Sequence, residues 1–310
     1  MIEILLNLLS MSNESECAQA VVRLMVVHCC SGEMILENGS IVPCAIKRVL
    51  YTTPRQQEKA HCEMAALHSA LGLPNLVQCL AARSCLSYLE PANIAILTEY
   101  IPGEDLDAAL ETLIQGLAGD PAMGIQGLHA QGRGHCDVKP QNIRVLLSNK
   151  GQVLQCTLHD LGCSVVYSGP FENKPVNYSG SRDFCCPEVC RIAAGRAPAS
   201  GHISGLAQDV WSLGYLWYWL LTGNVYFTTL ETTWAAVCNK QDLWASTYAS
   251  EDLQTAHEMT AGLHSECLRA GTSNEEHRAA VKILRHMLHP TASSRASVLV
   301  ALQSSIFADR

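Results

Sequence analysis

Residues 209–221 (DVWSLGYLWYWLL) form the apolar stretch that most constrains how this chain can fold. Read as a helix, the stretch is apolar on nearly every face, and a helix of that kind belongs in the middle of a domain. Asp209 stands at its start, where we expect helix N–H groups to stabilise the carboxylate. The chain therefore needs a domain whose other elements surround this helix.

The size and composition of the chain limit the classes of protein it can belong to. Its 310 residues suffice for one large domain or two lobes, and 48% hydrophobic residues indicate a globular fold with a substantial core. The net charge of −8 argues against unspecific nucleic-acid binding. No apolar run is long enough for a membrane span. We expect neither a nucleic acid nor a membrane as partner.

The N-terminus and the cysteines indicate the compartment. The opening MIEILLNLL has no basic leader and is interrupted by Glu3 and Asn7, so we interpret it as a helix that packs on the first lobe. Without a secretion signal, the fifteen cysteines are expected to be reduced thiols, and their spacings do not match zinc sites. We predict an intracellular protein, cytoplasmic or nuclear.

Patterning divides the chain into three parts. Residues 1–20 form an N-terminal segment, helical or a degenerate first strand, and residues 21–101 form a small β-rich lobe. In that lobe, the turn at 37–40 between two apolar runs predicts a hairpin, and 76–82 and 93–101 are strand-like. Residues 102–310 are predicted as a larger, mainly helical lobe with a surface insertion at 194–206.

One helix is predicted in the small lobe, over residues 56–71. Its apolar stripe is made of Ala60, Met64, Leu67 and Leu71. Glu63 borders this stripe, and Gly72 ends the helix. The predicted fold class is therefore α+β, with an antiparallel β-rich first lobe containing one main helix and a larger helical second lobe.

The stretch HCDVKPQN at 135–142 places an acid, a lysine and a carboxamide within eight residues. Phosphoryl transfer from ATP needs a cation to hold the phosphates, ligands for magnesium, and a carboxylate to orient the attacking hydroxyl. Taken singly, such residues have structural explanations, since a lone lysine is usually a strand-edge residue and a lone Asp-Leu-Gly a turn. Their order along the chain is the stronger signal.

Over roughly residues 20–300 the chain resembles a eukaryotic-type protein kinase. The motifs that carry the resemblance are CAIK at 44–47, TEYI at 98–101, HCDVKPQN at 135–142, DLG at 160–162, GSRDFCCPE at 180–188 and DVWSLG at 209–214. The resemblance implies a bilobal protein-kinase-like fold, a transferase activity, ATP and Mg²⁺ as cofactors, and a monomer.

The resemblance also assigns roles in nucleotide binding. Lys47 would anchor the phosphates of ATP, and Glu63 would pair with Lys47. The backbone at Glu99 and Ile101, next to the gatekeeper Thr98, would contact adenine. Asp105 lies where the family often places an acid that binds ribose.

In the catalytic loop, the resemblance implies that Asp137 orients the substrate hydroxyl and accepts its proton. Lys139 would neutralise the transferred phosphoryl group, and Asn142 and Asp160 would bind magnesium. Lys139 together with Ser181 points to Ser/Thr side chains of proteins as substrates.

Five residues are expected to hold the structure of the site rather than to react. His135 would pack beneath Asp160, and Ser181 would touch the catalytic Asp and Lys. The others are the predicted ion pair of Glu188 with Arg295, and Asp209 in the central helix.

Four departures from the family pattern bear on activity, and one of them is the long interval from Glu188 to Asp209 that contains the insertion at 194–206. The segment before Lys47 has no GxGxxG, and its best candidate, 12–22, contains no glycine. Cys136 replaces the usual arginine, which predicts activity that does not depend on phosphorylation of Ser168, Tyr178 or Ser179. Arg144 replaces an apolar residue expected beneath adenine, where a guanidinium could stack.

The alternative to an active kinase is a pseudokinase that serves as an ATP-binding or scaffold module. A small-molecule phosphotransferase of the aminoglycoside-kinase kind is disfavoured, because those enzymes usually lack the PE-ending segment and the DVWSLG helix.

Overall fold

The computed structural model describes residues 28–35, 40–85, 93–109, 119–150, 152–166, 180–196, 204–222, 233–249 and 274–304. The chain divides into two compact units. The first comprises Met1–Gly72 and Val77–Ile101, and the second comprises Leu73–Leu76 and Pro102–Arg310. The predictions for residues 1–27, for the turn at 37–39, for 197–203 and for Ser168, Tyr178 and Ser179 lie outside the described residues.

The first unit contains an antiparallel sheet. Its strands are β1 (His28–Ile35), β2 (Ile41–Leu50), β3 (Cys79–Cys85) and β4 (Asn93–Glu99). Their order in the sheet is β1-β2-β4-β3. Residues 93–97 of β4 are all buried, as expected for a strand with neighbours on both sides. Lys47 lies in β2, with Cys29 and Ile96 as its neighbours across the sheet.

One helix, α1 (Pro54–Ser69), lies in the described part of this unit. Thr53 caps it, because its side chain accepts from the N–H of Gln56 while the Gln56 side chain accepts from the N–H of Thr53. The helix begins and ends two residues before the predicted bounds of 56 and 71. Leu71 therefore lies beyond the last turn and is exposed, and Ala66 takes its place on the buried face.

The second unit contains two small antiparallel sheets. The strands β5 (Glu104–Asp105), β7 (Ile143–Leu147) and β8 (Val153–Leu158) pair in the order β5-β7-β8. The strands β6 (Arg133–Gly134) and β9 (Val165–Val166) form the other sheet. The HCDVKPQN loop lies between β6 and β7, with a short 3₁₀ turn at Pro140–Asn142.

Helices make up most of the rest of the described second unit. They are α2 (Leu106–Ala109), α3 (Gly119–Ala130), α4 (Pro187–Ala193), α5 (Gly205–Thr222), α6 (Trp234–Ala249), α7 (Asn274–Met287) and α8 (Val298–Leu302). Further 3₁₀ turns occupy Leu161–Cys163, Arg182–Phe184 and Ala292–Ser294. In the described residues, a β-rich first unit with one helix and a mainly helical second unit agree with the predicted architecture.

The apolar stretch around residues 209–221 is the centre of the second unit, as predicted. Trp211, Leu213 and Tyr215 of α5 are fully buried, and the Phe184 ring lies 5.3 Å from that of Tyr215. The predicted start of the helix was wrong, because α5 begins at Gly205 and includes the end of the expected insertion at 194–206. Asp209 is therefore in the second turn, where helix N–H groups are already bonded within the helix.

The described cysteine side chains, such as Cys44 and Cys190, are free thiols. Burial raises the pKa of the Cys186 thiol well above its usual value, so this thiol is inert at neutral pH. Among the described residues no helix has both the length and the apolar character needed to cross a membrane.

Candidate active site

Asp209 positions the beginning of the HCDVKPQN loop. Its Oδ2 accepts from the backbone N–H of His135 and its Oδ1 from that of Cys136, both at 2.7 Å. His129 Nε2 lies 2.9 Å from Oδ2. The expectation that N–H groups of its own helix stabilise Asp209 was wrong, because the carboxylate binds the amides of a loop distant in sequence. Cys136 has a φ of 64°, a backbone conformation that these bonds help to hold.

His135 is fully buried, and both of its ring nitrogens have partners. The backbone N–H of Asp137 donates to Nδ1 at 3.2 Å, so Nδ1 is the acceptor. Nε2 therefore carries the proton and donates to the carbonyl of His159 at 3.1 Å. The ring of His135 therefore packs against the residue that precedes Asp160. Because both ring nitrogens are bonded and no ring atom is exposed, His135 cannot take a proton from a substrate.

Asp137 lies in the middle of a group of donors. Its Oδ1 accepts from the backbone N–H of Ser181 at 2.7 Å, and its Oδ2 from Lys139 Nζ at 2.9 Å and from Asn142 Nδ2 at 3.0 Å. Lys139 Nζ also donates to the Ser181 hydroxyl at 2.7 Å. The contact predicted for Ser181 with the catalytic pair is present. These bonds orient a carboxylate that is only 8% exposed.

Asn142 and Asp160 provide oxygen atoms of the kind that Mg²⁺ prefers. Asn142 Nδ2 donates to both the backbone carbonyl and Oδ2 of Asp137, at 2.8 and 3.0 Å. These bonds fix the side-chain amide of Asn142, so that its Oδ1 faces away from Asp137. The N–H of His159 donates to the carbonyl of Asn142 at 2.9 Å and holds the Asp160 segment beside the loop. This donor set fits a magnesium ion.

Asp160 has an uncommon backbone conformation, with φ 62° and ψ 72°. Its Oδ1 accepts from the N–H of Gly162 at 3.3 Å, so the side chain caps the Leu161–Cys163 turn. Among the described residues, no three His, Cys, Asp or Glu side chains form a group that could hold a metal. Magnesium at Asn142 and Asp160 would therefore keep water and phosphate oxygens as further ligands, as it commonly does.

Asp105 and Arg144, which lie on neighbouring strands, form an ion pair. Arg144 Nη1 is 3.0 Å from Asp105 Oδ1, and Nη2 donates to the carbonyl of Gly103. The predicted ribose-binding acid thus has a guanidinium as its immediate partner.

His159, the residue before Asp160, interacts electrostatically with Asp160 and with both members of this pair. Burial lowers the pKa of His159 to about 4. The carboxylates of Asp160 and Asp105 oppose that shift in pKa, while His135 and Arg144 add to it. His159 Nε2 is buried and has no hydrogen-bond partner within the described residues.

In the first unit, Lys47 and Glu63 form the predicted pair, with Nζ 2.5 Å from Oε1. Glu63 is 5% exposed, so the helix α1 buries a carboxylate against the lysine of β2. The predicted hinge residues follow β4. The N–H of Glu99 donates to the carbonyl of Gln78 at 2.9 Å, and Glu99 Oε1 accepts from the N–H of Gln78 at 3.0 Å. Ile101 is half-buried at the end of this unit.

Glu188 and Arg295 form the predicted ion pair, with Arg295 Nη2 at 2.8 and 2.9 Å from the two carboxylate oxygens of Glu188. The side chains are 4% and 1% exposed. Arg295 also donates to the carbonyls of His289 and Ala207, and its guanidinium lies 5.1 Å from the centre of the Trp211 ring. Such a buried pair is costly to break by removal of one partner.

Sequence reasoning missed several residues that support the loop. His129 contacts Asp209, and Gln208 Nε2 donates to the carbonyl of Cys136 at 2.8 Å. Its position directly before Asp209 was the only feature of the sequence that could have indicated a role for Gln208. The partners of His129 and of Arg144 are 80 and 39 residues away in sequence, beyond the reach of motif spacing.

The fold and the two groups of charged residues are those expected of a protein kinase domain. A family model described as "Protein kinase domain" matches residues 33–307, so the chain belongs to the protein kinase family. This confirms the resemblance and the predicted α+β fold class.

The curated relatives that the chain matches include Ser/Thr kinases. It is 30% identical over 185 residues to serine/threonine-protein kinase RUNKEL of Arabidopsis thaliana, a match to 57% of this chain and 12% of the relative. It is 26% identical over 189 residues to ribosomal protein S6 kinase alpha-4 of Mus musculus (59% and 22%). It is 31% identical over 145 residues to mitogen-activated protein kinase kinase kinase 17 of Arabidopsis thaliana (44% and 34%). Each match thus spans a minor part of the relative.

Proposed function

We propose that this kinase domain is active and transfers the γ-phosphoryl group of ATP to Ser/Thr hydroxyls of protein substrates, with Mg²⁺ as cofactor. The observation that carries the proposal is the set of donors around Asp137: Lys139 Nζ, Asn142 Nδ2 and the backbone N–H of Ser181, all within 3.0 Å of its carboxylate oxygens. A carboxylate held in this way can accept a hydrogen bond from a substrate hydroxyl and take its proton as the bond to phosphorus forms.

Residues of both units have further roles in the proposed mechanism. Lys139, anchored by Asp137 and Ser181, stabilises negative charge on the phosphoryl group during transfer. Asn142 and Asp160 would hold Mg²⁺, which when bound neutralises charge on the phosphates. Lys47 binds the phosphates, and the contact with Glu63 holds its Nζ in place.

The backbone hydrogen bonds of the first unit limit which hinge atoms can contact adenine. Because the N–H of Glu99 already donates to Gln78, a contact between Glu99 and adenine would go through the carbonyl of Glu99. The N–H of Ile101 would then be the donor to the base. Serine and threonine as acceptors are supported by the Lys139–Ser181 contact and by the names of the relatives.

The proposed activity does not depend on phosphorylation of Ser168, Tyr178 or Ser179. Cys136 is 4% exposed and its carbonyl accepts from Gln208, so this position offers no cation to a phosphate. We expect the triple variant Ser168→Ala, Tyr178→Ala, Ser179→Ala to retain its phosphotransfer rate within about twofold. Loss of turnover in that variant would contradict this part of the proposal.

The second candidate is a pseudokinase, favoured by the engagement of Asp105 by Arg144 and by the absence of glycine in residues 12–22. Two measurements separate the candidates. Magnesium-ATP should raise the melting temperature of the full chain, and Asp160→Asn should remove the shift, because one metal ligand loses its charge. Radiolabelled phosphate should then transfer to a generic Ser/Thr protein, with Asp137→Ala lowering the rate by roughly 10²–10⁴-fold. Transfer no faster than in Asp137→Ala would establish the pseudokinase.

A further inference from the structure

Arg144 and Asp105 form a contact that is built into the small β5-β7-β8 sheet. The two residues are directly opposite each other in the antiparallel pairing of β5 with β7. Side chains at opposite positions lie on the same face of a sheet, so the backbone register itself brings the guanidinium to the carboxylate. The resulting Nη1–Oδ1 distance is 3.0 Å.

A second contact fixes the other end of the guanidinium. Arg144 Nη2 donates to the carbonyl of Gly103, two residues before Asp105. Gly103 has a φ of 98°, and a Cβ built there would lie 2.0 Å from the carbonyl oxygen of Val145. Only glycine allows the turn before β5 to lie this close to β7 and to present its carbonyl to Arg144. We call Arg144, Asp105 and the Gly103 carbonyl the arginine latch.

The arginine latch lies near the residues proposed to bind magnesium. Arg144 is two residues after Asn142 in the chain, at the start of β7. Both Arg144 and Asp105 interact electrostatically with His159, the residue directly before Asp160. The latch and the proposed metal ligands therefore belong to one neighbourhood of the second unit.

Resting on the proposed function, in which Asp105 is the acid next to the ribose, we propose that Arg144 withdraws Asp105 from nucleotide recognition. The domain then binds ATP through its base and phosphates, with little contribution from the ribose hydroxyls. The guanidinium compensates the negative charge of the carboxylate that it binds, so the paired Asp105 is a weaker acceptor for a ribose hydroxyl than an unpaired carboxylate, whose hydrogen bonds are roughly twice as strong as neutral ones.

Ribose could recruit Asp105 only by weakening the latch. The side chains of Arg144 and Asp105 are 26% and 42% exposed, and an isolated ion pair with that exposure would contribute little. The latch differs from an isolated pair because the Gly103 carbonyl holds the same guanidinium, so the side-chain entropy is lost once for two contacts. Turning Asp105 toward a sugar would leave Arg144 with one partner in place of two.

The test compares dissociation constants of magnesium-ATP and magnesium-2′,3′-dideoxy-ATP for the full chain. The wild type should bind the two nucleotides within about threefold of each other. Arg144→Leu frees the Asp105 carboxylate and should prefer ATP by about tenfold or more, the range of a hydrogen bond to a charged group. In the double variant Arg144→Leu, Asp105→Ala the preference should fall back to about threefold or less.

Two further variants control the result. Arg196→Leu removes another arginine of the same unit that is paired with an aspartate, Asp242, and should leave the ratio unchanged. Arg144→Met keeps the aliphatic stem and replaces Arg144→Leu if that variant melts early. The comparison of the two nucleotides for the wild type tests the proposal even if both Arg144 variants fail to fold.

Every outcome decides one of the two proposals. A wild type that prefers ATP by tenfold or more, or an Arg144→Leu variant without such preference, overturns the latch. Nucleotide binding by Arg144→Leu but not by the wild type contradicts an active kinase and also contradicts binding of ATP by the wild type through its base and phosphates. Absence of binding by all variants overturns both proposals.

Discussion

At the scale of single residues, Ser181 makes one hydrogen bond through its backbone and another through its side chain. The backbone N–H donates to Asp137 Oδ1, and the hydroxyl accepts from Lys139 Nζ. Substitution of the side chain removes only the second contact. The two contributions can therefore be separated by mutation.

We expect Ser181→Ala to lower the phosphotransfer rate by about tenfold, because Lys139 loses one of its two anchors and a hydrogen bond to a charged group is worth roughly 1.5–3 kcal/mol. Asp137 keeps all of its donors, so the melting temperature should change little. Ser181→Thr retains the hydroxyl and should retain the rate, measured as radiolabelled phosphate transferred under saturating ATP. Equal rates for the alanine and threonine variants would refute a positioning role for the hydroxyl.

Local motifs explain which residue identities could be predicted and which contacts could not. Lys47, Asp137, Asn142 and Asp160 were recognised because each stands in a short motif that resembles one of the protein kinase family. The ion pair of Arg144 and Asp105 depends on the register of two strands 39 residues apart, and no property of either segment alone specifies it. The roles of these residues in catalysis stay predictions until activity is measured.

At the scale of elements, helix α5 holds the HCDVKPQN loop through the side chains of Asp209 and Gln208. Asp209 accepts from the N–H groups of both His135 and Cys136, and its carboxylate is fully buried. Two buried backbone donors thus depend on one residue, because no helix or sheet bond is available to them at this point of the loop.

The error in the predicted start of α5 has a physical origin. Residues 205–208 (GLAQ) lack the continuous apolar character of the following stretch, and glycine is a weak helix former. Packing in the second unit extends the helix through them, since Gln208 is buried and bonded to the carbonyl of Cys136. Tertiary contacts here outweigh local propensity, which moves Asp209 from the helix end to its second turn.

Asp209→Asn should lower the free energy of unfolding by about 1–3 kcal/mol, because the amide cannot accept from both backbone N–H groups without turning its own NH₂ toward one of them. The amide protons of His135 and Cys136 should also exchange faster with deuterium. The same substitution at Asp242, a partly exposed partner of Arg191 and Arg196, should cost less than about 1 kcal/mol. Chemical denaturation of both variants gives the comparison, and equal losses would mean that Asp209 is not the anchor of the loop.

At the scale of the whole molecule, the two compact units are not two consecutive pieces of sequence. Leu73–Leu76 belongs to the second unit, although the residues on either side belong to the first. Patterning placed one boundary near residue 101 and assigned residues 21–101 to the small lobe. It could not identify this segment, because four residues carry no helical or strand period of their own.

The segment is tied to strand β8 of the second unit. The N–H of Leu158 donates to the carbonyl of Asn75 at 2.9 Å, and Asn75 Nδ2 donates to the carbonyl of Cys156 at 3.1 Å. Leu76 pairs with Leu158 as a parallel bridge, and both side chains are buried. Asn75 has a φ of 58°, a conformation that asparagine tolerates better than most residues.

Asn75 offers a test of how much this segment contributes, because its two properties can be removed one at a time. Asn75→Gly keeps the left-handed backbone accessible and loses only the bond to Cys156, so it should cost about 1 kcal/mol of unfolding free energy. Asn75→Ala loses the bond and also strains the backbone, so it should cost roughly 1 kcal/mol more than the glycine variant. Thermal unfolding of the full chain measures both values.

Deuterium exchange at the Leu158 amide identifies the unit in which this stability resides. The amide donates to the Asn75 carbonyl, so its protection should fall in the order wild type, Asn75→Gly, Asn75→Ala. Amides of β2, which pairs within the first unit, should keep their protection in all three proteins. The predicted order would make residues 73–76 a structural part of the second unit. Unchanged protection at Leu158 in the alanine variant would mean that these residues do not contribute to the stability of that unit.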